Sequence, residues 1–264
     1  MDDIPIHEID ITDLSALYSC FGRGYDIVHH LAAQANIPIA RENPSSCLNV
    51  NILGTQNVLT AAIHFGVKGF HFASSSDVYG PATGEITLST PRNPIGPYGI
   101  SKLAGEMLVK TCPGHLKSFS TRLFTCLGPG QYRDSAFGSF SYQVSRILKK
   151  ETNTFHCGNL TNTRSLIDVR DVVKCYVKLM ERCIEMELLP TDAVNIAGQT
   201  YSMIECVQGM FETFGVQPIV KKGTPRPNDI TLQYSSPEPV LSLIGSLTPI
   251  SRTLEDMVNW WLNK

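Results

Sequence analysis

The chain reads as short apolar stretches set between longer segments of helical spacing. Residues 26 to 33 (DIVHHLAA), 69 to 75 (GFHFASS), 117 to 127 (KSFSTRLFTCL) and 193 to 197 (AVNIA) are the apolar stretches. Stretches of this kind predict strands, and their alternation with helical patterns predicts βαβ units around a parallel sheet. Asn49 to Phe65 carries apolar residues at Val50, Leu53, Val58, Ala61 and Ala62, with Gly66 as a stop, which predicts an amphipathic helix. A second helix is predicted from Tyr98 to Thr111, ended by Pro113 and Gly114. After Gly128-Pro129-Gly130 the pattern loosens into polar, Gly- and Pro-rich loops. Helical spacing returns at 137 to 149 and in an amphipathic stretch at 251 to 263 with Leu254, Met257, Val258 and Trp261. The pattern is α/β, with a smaller lobe built on a sheet domain.

Composition narrows the class. The chain has 264 residues, 42% of them hydrophobic and 17% charged, enough to bury a substantial core. A formal net charge of -2 supplies no basic footprint, which argues against nucleic acid as a partner. No apolar run approaches the roughly 20 residues of a membrane span. The acidic start Met1-Asp2-Asp3 lacks the basic segment of a signal peptide, so the expectation is a soluble, cytoplasmic protein without a membrane partner. The cysteines at 20, 47, 112, 126, 157, 175, 183 and 206 form no Cys-x-x-Cys pair, which predicts reduced thiols and no metal site. His29 and His30 end an apolar run, where adjacent residues point to opposite faces of a strand, and are read as structural.

The candidate chemistry begins at Tyr98-Gly99-Ile100-Ser101-Lys102, which puts a phenol and an ammonium on one helix face. A nearby cation favours phenolate, so Lys102 is expected to lower the pKa of Tyr98 and fit it for proton transfer with a sugar hydroxyl or ketone. Alone, this pair is also what an exposed tyrosine beside a solvated lysine would look like. Ser74-Ser75-Ser76-Asp77-Val78-Tyr79-Gly80 follows an apolar strand directly. Serines at the carboxyl end of a parallel strand stand where open α/β sheets bind ligands, and a hydroxyl there can hold a reacting oxygen. A serine-rich turn would account for these residues but not for the Tyr/Lys pair after them.

Together with LAAQ at 31 to 34, NILGT at 51 to 55, NPIGPYGISK at 93 to 102 and GPGQ at 128 to 131, SSSDVYG resembles the extended short-chain dehydrogenases/reductases that act on nucleotide sugars, the NAD-dependent epimerase/dehydratase family. The resemblance runs over essentially the whole chain. FGSFSYQVSRI (137 to 147), GNLTNTRSLIDVRDVV (158 to 173) and RPNDI (226 to 230) are most similar to members reducing a GDP-linked 4-keto-6-deoxymannose. The resemblance implies a Rossmann-like doubly wound parallel sheet, incomplete at the N-terminus. It implies a partial dinucleotide-binding domain at 1–127 and 166–198, and a substrate-binding lobe at 128–165 and 199–264. Ser75, Tyr98 and Lys102 correspond to the catalytic triad. Asp10, Ile11, Leu31, Ala32, Ala33, Gln34 and Asn51, with Tyr98 and Lys102, correspond to residues on the NAD or NADP cofactor. Ser76, Asp77, Thr125, Arg164 and Arg226 correspond to the substrate site, where the arginine fork suits a diphosphate. For Arg164 the alternative is an ion pair with Asp168 or Asp171. The implied activity is NAD(P)-dependent reduction of a 4-keto-6-deoxy nucleotide sugar, with 4-epimerisation, 4,6-dehydration, or non-catalytic nucleotide-sugar binding as alternatives. A homodimer through the helices at 50 to 65 and 98 to 111 is implied as well.

The sequence departs from this pattern at the front. No G-x-x-G-x-x-G occurs, and Gly22-Arg23-Gly24 precedes a strand rather than opening a helix. The expectation is a chain starting near the family's third strand, with one bare edge on the strand at 26 to 32 and weaker dinucleotide anchoring. Thr125 stands where the family usually has asparagine and Ser246 where tryptophan is common.

Overall fold

The computed structural model describes residues 4–185, 193–224 and 230–264. Helix α1 (Leu14–Phe21) is opened by Asp13, whose carboxylate accepts from the Ala16 N–H. Strand β1 (Ile27–His30) is followed by α2 (Ile37–Glu42) and α3 (Pro44–Leu48), each begun by an asparagine cap with proline in the first turn. A π turn at Asn49–Leu53 leads into α4 (Gly54–His64). Strand β2 (Gly69–Ser75), a 3₁₀ turn (Ser76–Val78), α5 (Pro97–Lys110) and β3 (Lys117–Leu123) complete the first half. Next come β4 (Thr125–Leu127), α6 (Ala136–Leu148), β5 (Thr154–Cys157), β6 (Thr163–Asp168) and α7 (Val169–Ile184). The remainder is β7 (Ala193–Ile196), β8 (Gln199–Ser202), α8 (Met203–Phe214), β9 (Ile219–Lys222), β10 (Leu232–Gln233), α9 (Glu238–Ile244) and α10 (Ile250–Leu262).

These elements divide into two compact units. The first comprises Met1–Gly80, Thr90–Leu123 and Tyr176–Val194, and the second Pro81–Ser89, Phe124–Cys175 and Asn195–Lys264. In the first, β1, β2 and β3 run parallel, with Ile27 opposite Gly69 and Gly69 opposite Lys117, in a sheet of order β1-β2-β3-β7. Strand β1 lies at one edge of this sheet among the described residues. Phe70 and Phe72 on β2 are fully buried in one cluster with Val58, Leu59, Ala61 and Ala62 of α4; the apolar spacing marked Val58, Ala61 and Ala62 correctly, whereas Leu53, also marked, is exposed. His29 and His30 point to different partners: His29 Nδ1 is 3.1 Å from His71 Nδ1, and His30 Nε2 is 2.9 Å from Thr55 Oγ1.

In the second unit, β6 pairs in parallel with β10 and β4 and antiparallel with β8, while β5 and β9 form a separate parallel pair. A second core gathers α6, α8 and α10 through Phe137, Val144, Met210, Leu254 and Val258. Among the described residues no helix is long and apolar enough to cross a membrane, and all eight cysteines are free thiols.

Three boundaries differ from the pattern reading. The strand predicted over 26 to 33 stops at His30, because the backbone of Gln34 is bonded by the Asn51 side chain rather than by a neighbouring strand. The helix predicted over 49 to 65 begins with the π turn, a local insertion that leaves apolar spacing nearly unchanged. The single strand predicted over 117 to 127 is two, in different sheets. The chain changes partners at Phe124, whose N–H donates to Ile196 O at 3.0 Å.

Candidate active site

Strand β2 and helix α5 bring the reacting groups together. Ser75 is the last residue of β2, 8% exposed, and its hydroxyl accepts from the Asp77 N–H at 3.1 Å, capping the 3₁₀ turn. Helix α5 starts at Pro97, whose fixed φ suits the first helical position, and places Tyr98 and Lys102 one turn apart. The helix can lie close to β2 because two of its residues lack a Cβ. A Cβ at Gly99 would come within 2.7 Å of Asp77 O, and one at Gly105 within 2.3 Å of the Phe72 ring. Tyr98 is half-buried and hydrogen-bonded to Ser75. Lys102 is 4% exposed, donates to Ala73 O at 2.7 Å, and lies 5.9 Å from the centre of the Tyr98 ring. Ser75, Tyr98 and Lys102 therefore converge at the carboxyl end of a parallel strand.

The electrostatics correct one expectation. Lys102 does not lower the pKa of Tyr98. Burial and the nearby Asp77 carboxylate push the phenol up, and the bond from Ser75 only partly opposes them. Burial lowers Lys102 itself from 10.5 to about 8, with Cys47 acting in the opposite direction. The phenol therefore keeps its proton across the neutral range. This also makes a stability prediction. A lysine whose folded pKa is depressed binds fewer protons folded than unfolded between the two values, so stability rises with pH across that window. From pH 8 to pH 10.5 the wild type should gain up to about 3 kcal/mol relative to Lys102→Met. Urea unfolding of both proteins at the two pH values measures the difference, and parallel curves would contradict the assignment.

The residues compared to cofactor-binding positions are held by a polar web. Asn51, 2% exposed in the π turn, accepts from Gln34 N at 2.7 Å and donates to Gln34 O at 3.1 Å. It also donates to Ser101 Oγ at 2.9 Å, and Ser101 donates to Tyr98 O at 2.7 Å. The segment following β1 is thereby tied to the first turn of α5. Leu31 and Ala32 are exposed and Ala33 half-buried after β1, and Gln34 Oε1 is buried without a hydrogen-bond partner. Asp10 is exposed, its carboxylate accepting from Thr12 N and Thr12 Oγ1 at 2.9 Å, which lowers its pKa. Ile11 packs where a Cβ on Gly54 would stand, 2.5 Å from its Cδ1. A buried acceptor lacking a partner at Gln34, whose backbone is linked through Asn51 and Ser101 to α5, together with a phenol, an ammonium and a hydroxyl at a strand end, fits the nicotinamide half of a dinucleotide.

The second unit holds a cavity of about 850 Å³ lined by Thr125 and Arg164, among others. Arg164 donates to Thr163 O at 2.9 Å and to Ile230 O, while Asp168 is paired with Arg170 and Asp171 with Lys174. Arg133, Lys221 and Lys222 also line the cavity, so among the described residues four cations, counting Arg164, stand against one carboxylate, Asp134. Sequence reasoning missed Arg133, Lys221 and Lys222, which come from a loop and β9, distant in the chain. Ser76 is buried and Asp77 half-buried in the first unit, beside Ser75. Arg226 lies outside the described residues. Reasoning from sequence also missed Ser74, Tyr79, Glu106 and Arg122. Their one signal was Glu106, a carboxylate four residues after Lys102 on the helix face that bears Tyr98.

The model of the NAD dependent epimerase/dehydratase family matches residues 1–197. A GDP-6-deoxy-D-mannose reductase of Pseudomonas aeruginosa is 32% identical over 184 residues, 66% of this chain and 60% of that protein. A dTDP-glucose 4,6-dehydratase of Mycobacterium tuberculosis is 36% identical over 190 residues, 69% of this chain and 55% of that protein. These two matches thus span less than two thirds of each relative's length. The structure of RMD from Pseudomonas aeruginosa complexed with NADPH superposes with a TM-score of 0.88 at 26% identity, covering 98% of this chain and 89% of that one.

Proposed function

This chain belongs to the NAD-dependent epimerase/dehydratase family, and from that premise we propose that it reduces a 4-keto-6-deoxy nucleotide sugar, GDP-linked, with NADH or NADPH as reductant. The observation that carries the reading is geometric: Ser75 ends β2 at its carboxyl end, and Tyr98 stands one helical turn from a buried Lys102 whose ammonium is bonded to Ala73 O of the same strand. A bound nicotinamide dinucleotide would supply the hydride. Every other task falls to this chain. Ser75 donates a hydrogen bond to the substrate carbonyl and holds it against Tyr98. Tyr98 gives its proton to the oxygen as the carbonyl is reduced, and its raised pKa suits this direction because the acid must start protonated. The Lys102 ammonium, fixed by Ala73 O, keeps positive charge beside the phenolate that results. Gln34, Asn51, Tyr98 and Lys102 would hold the nicotinamide end, and Asp10, Ile11 and Leu31 to Ala33 the adenosine side. In the first unit stand the residues compared to dinucleotide-binding positions; in the second, Thr125 and Arg164 line a cationic cavity whose charge suits a diphosphate. Exposed Ile100 and Met107 on α5, with Leu53 at the end of the π turn before α4, support a homodimer contact through these helices.

One specific observation favours a second reading, dehydration: Ser76 and Asp77 follow Ser75 directly in the 3₁₀ turn, the place where an acid-base pair for removing water would stand. Purified chain is incubated with NADPH and GDP-4-keto-6-deoxymannose, and nicotinamide absorbance and product are followed. One reduced nicotinamide consumed per GDP-6-deoxyhexose formed is the expected result. Conversion without net oxidation would assign isomerisation or dehydration instead. Sugar binding by calorimetry without NADPH binding would assign a non-catalytic nucleotide-sugar protein.

A further inference from the structure

Glu106 and Arg122 take no part in the chemistry described above, yet they form a fully buried ion pair beside it. Their side chains are 2% and 5% exposed. Arg122 Nε donates to Glu106 Oε1 at 2.9 Å and Arg122 Nη2 to Glu106 Oε2 at 2.8 Å, the two-pronged geometry of a guanidinium on a carboxylate. Ser74 Oγ donates to Glu106 Oε1 at 2.6 Å. The third guanidinium nitrogen, Arg122 Nη1, donates to Tyr79 Oη at 2.7 Å, and the guanidinium lies 5.0 Å from the Tyr79 ring centre. Ser74 and Arg122 are direct neighbours across the β2–β3 ladder.

A buried ion pair is a poor device for stability alone, since an apolar pair of similar volume commonly does as well or better. What this one touches is informative. Ser74 precedes Ser75, and Tyr79 ends the turn that Ser75 caps. Glu106 sits one turn beyond Lys102, whose ammonium is bonded to Ala73 O. The chain on both sides of Ser75 is thus tied to α5 and β3 through one carboxylate and one guanidinium.

We propose that Glu106 and Arg122 are positioning residues that, through Ser74 and Tyr79, hold the end of β2 and its following turn against α5, and so set the Ser75–Tyr98 and Lys102–Ala73 contacts. The inference rests on the reading of Ser75, Tyr98 and Lys102 given under Proposed function. Ser74→Ala and Tyr79→Phe each remove one tether and leave both prongs of the ion pair in place. Two quantities are measured in the full chain: the titration of Lys102 by NMR of isotopically labelled lysine, assigned with Lys102→Met, and kcat with KM. In both variants Lys102 should titrate higher than its wild-type value near 8, by about half a unit or more, as its ammonium gains water. kcat should fall about tenfold with KM changed less than about twofold, the mark of lost geometry rather than lost binding. An unchanged Lys102 titration in both folded variants overturns the proposal, as does a raised KM at constant kcat. The titration needs no substrate. If it moves while the wild-type chain reduces no nucleotide sugar, the positioning role stands and the proposed activity falls.

Discussion

Tyr98→Phe is expected to lower kcat for the reduction by about 10²–10⁴-fold, the range a positioned general acid contributes, with little change in nucleotide-sugar affinity. The phenol oxygen is the group lost. Phenylalanine keeps the half-buried ring beside Lys102, whose ammonium remains anchored on Ala73 O. Ser75 retains its role as acceptor for the Asp77 N–H, so the strand end stays capped. Because Tyr98 is held protonated by burial and by Asp77, its proton is in place before the substrate arrives. Steady-state kinetics paired with calorimetry of the nucleotide sugar test this. Loss of binding in step with loss of rate would move Tyr98 from acid to binding group.

The largest stability effect is expected from Glu106→Ala. It leaves the Arg122 guanidinium buried with neither prong satisfied, and removes the acceptor of Ser74. Breaking one side of a buried pair costs about 3–5 kcal/mol. For a chain of this size each kcal/mol moves Tm by about 2–4 °C, so a drop on the order of 10 °C should be seen by calorimetry. The double variant Glu106→Leu, Arg122→Met should recover most of that loss, because no charge is then left unpaired. Its kcat should nevertheless stay low if the pair positions Ser75. A drop under about 1 kcal/mol for Glu106→Ala would mean that water or another group satisfies Arg122.

The parts of this molecule that follow local rules were legible in the sequence. Strand β2 occupies the seven residues its apolar pattern marked, and α5 runs over Pro97–Lys110 between a proline start and the Pro113-Gly114 stop. The break at Phe124 was not legible, since the apolar run continues through it and only the exchange of hydrogen-bond partners between sheets divides it. Spacing placed Lys102 beside Tyr98 correctly but gave the wrong sign for its effect. Proximity is set by the helix period, whereas the sign depends on burial and on Asp77, which a periodic pattern does not report. The correspondence of Arg164 and Thr125 to substrate positions came from motif resemblance alone. The cationic cavity they line also draws Arg133, Lys221 and Lys222 from segments about 90 residues apart, and no local signal links them. The Glu106–Arg122 pair is of the same kind, since a buried charge is recognised only when its partner strand is known.

The most direct test follows one atom. NADPH deuterated at the transferring position of its nicotinamide ring is given to the chain with GDP-4-keto-6-deoxymannose, and the product sugar is examined by NMR and mass spectrometry. Deuterium bonded to the sugar C4, abolished in Tyr98→Phe, is the result the account requires. A product without label, or labelled product formed equally well by Tyr98→Phe, would contradict it.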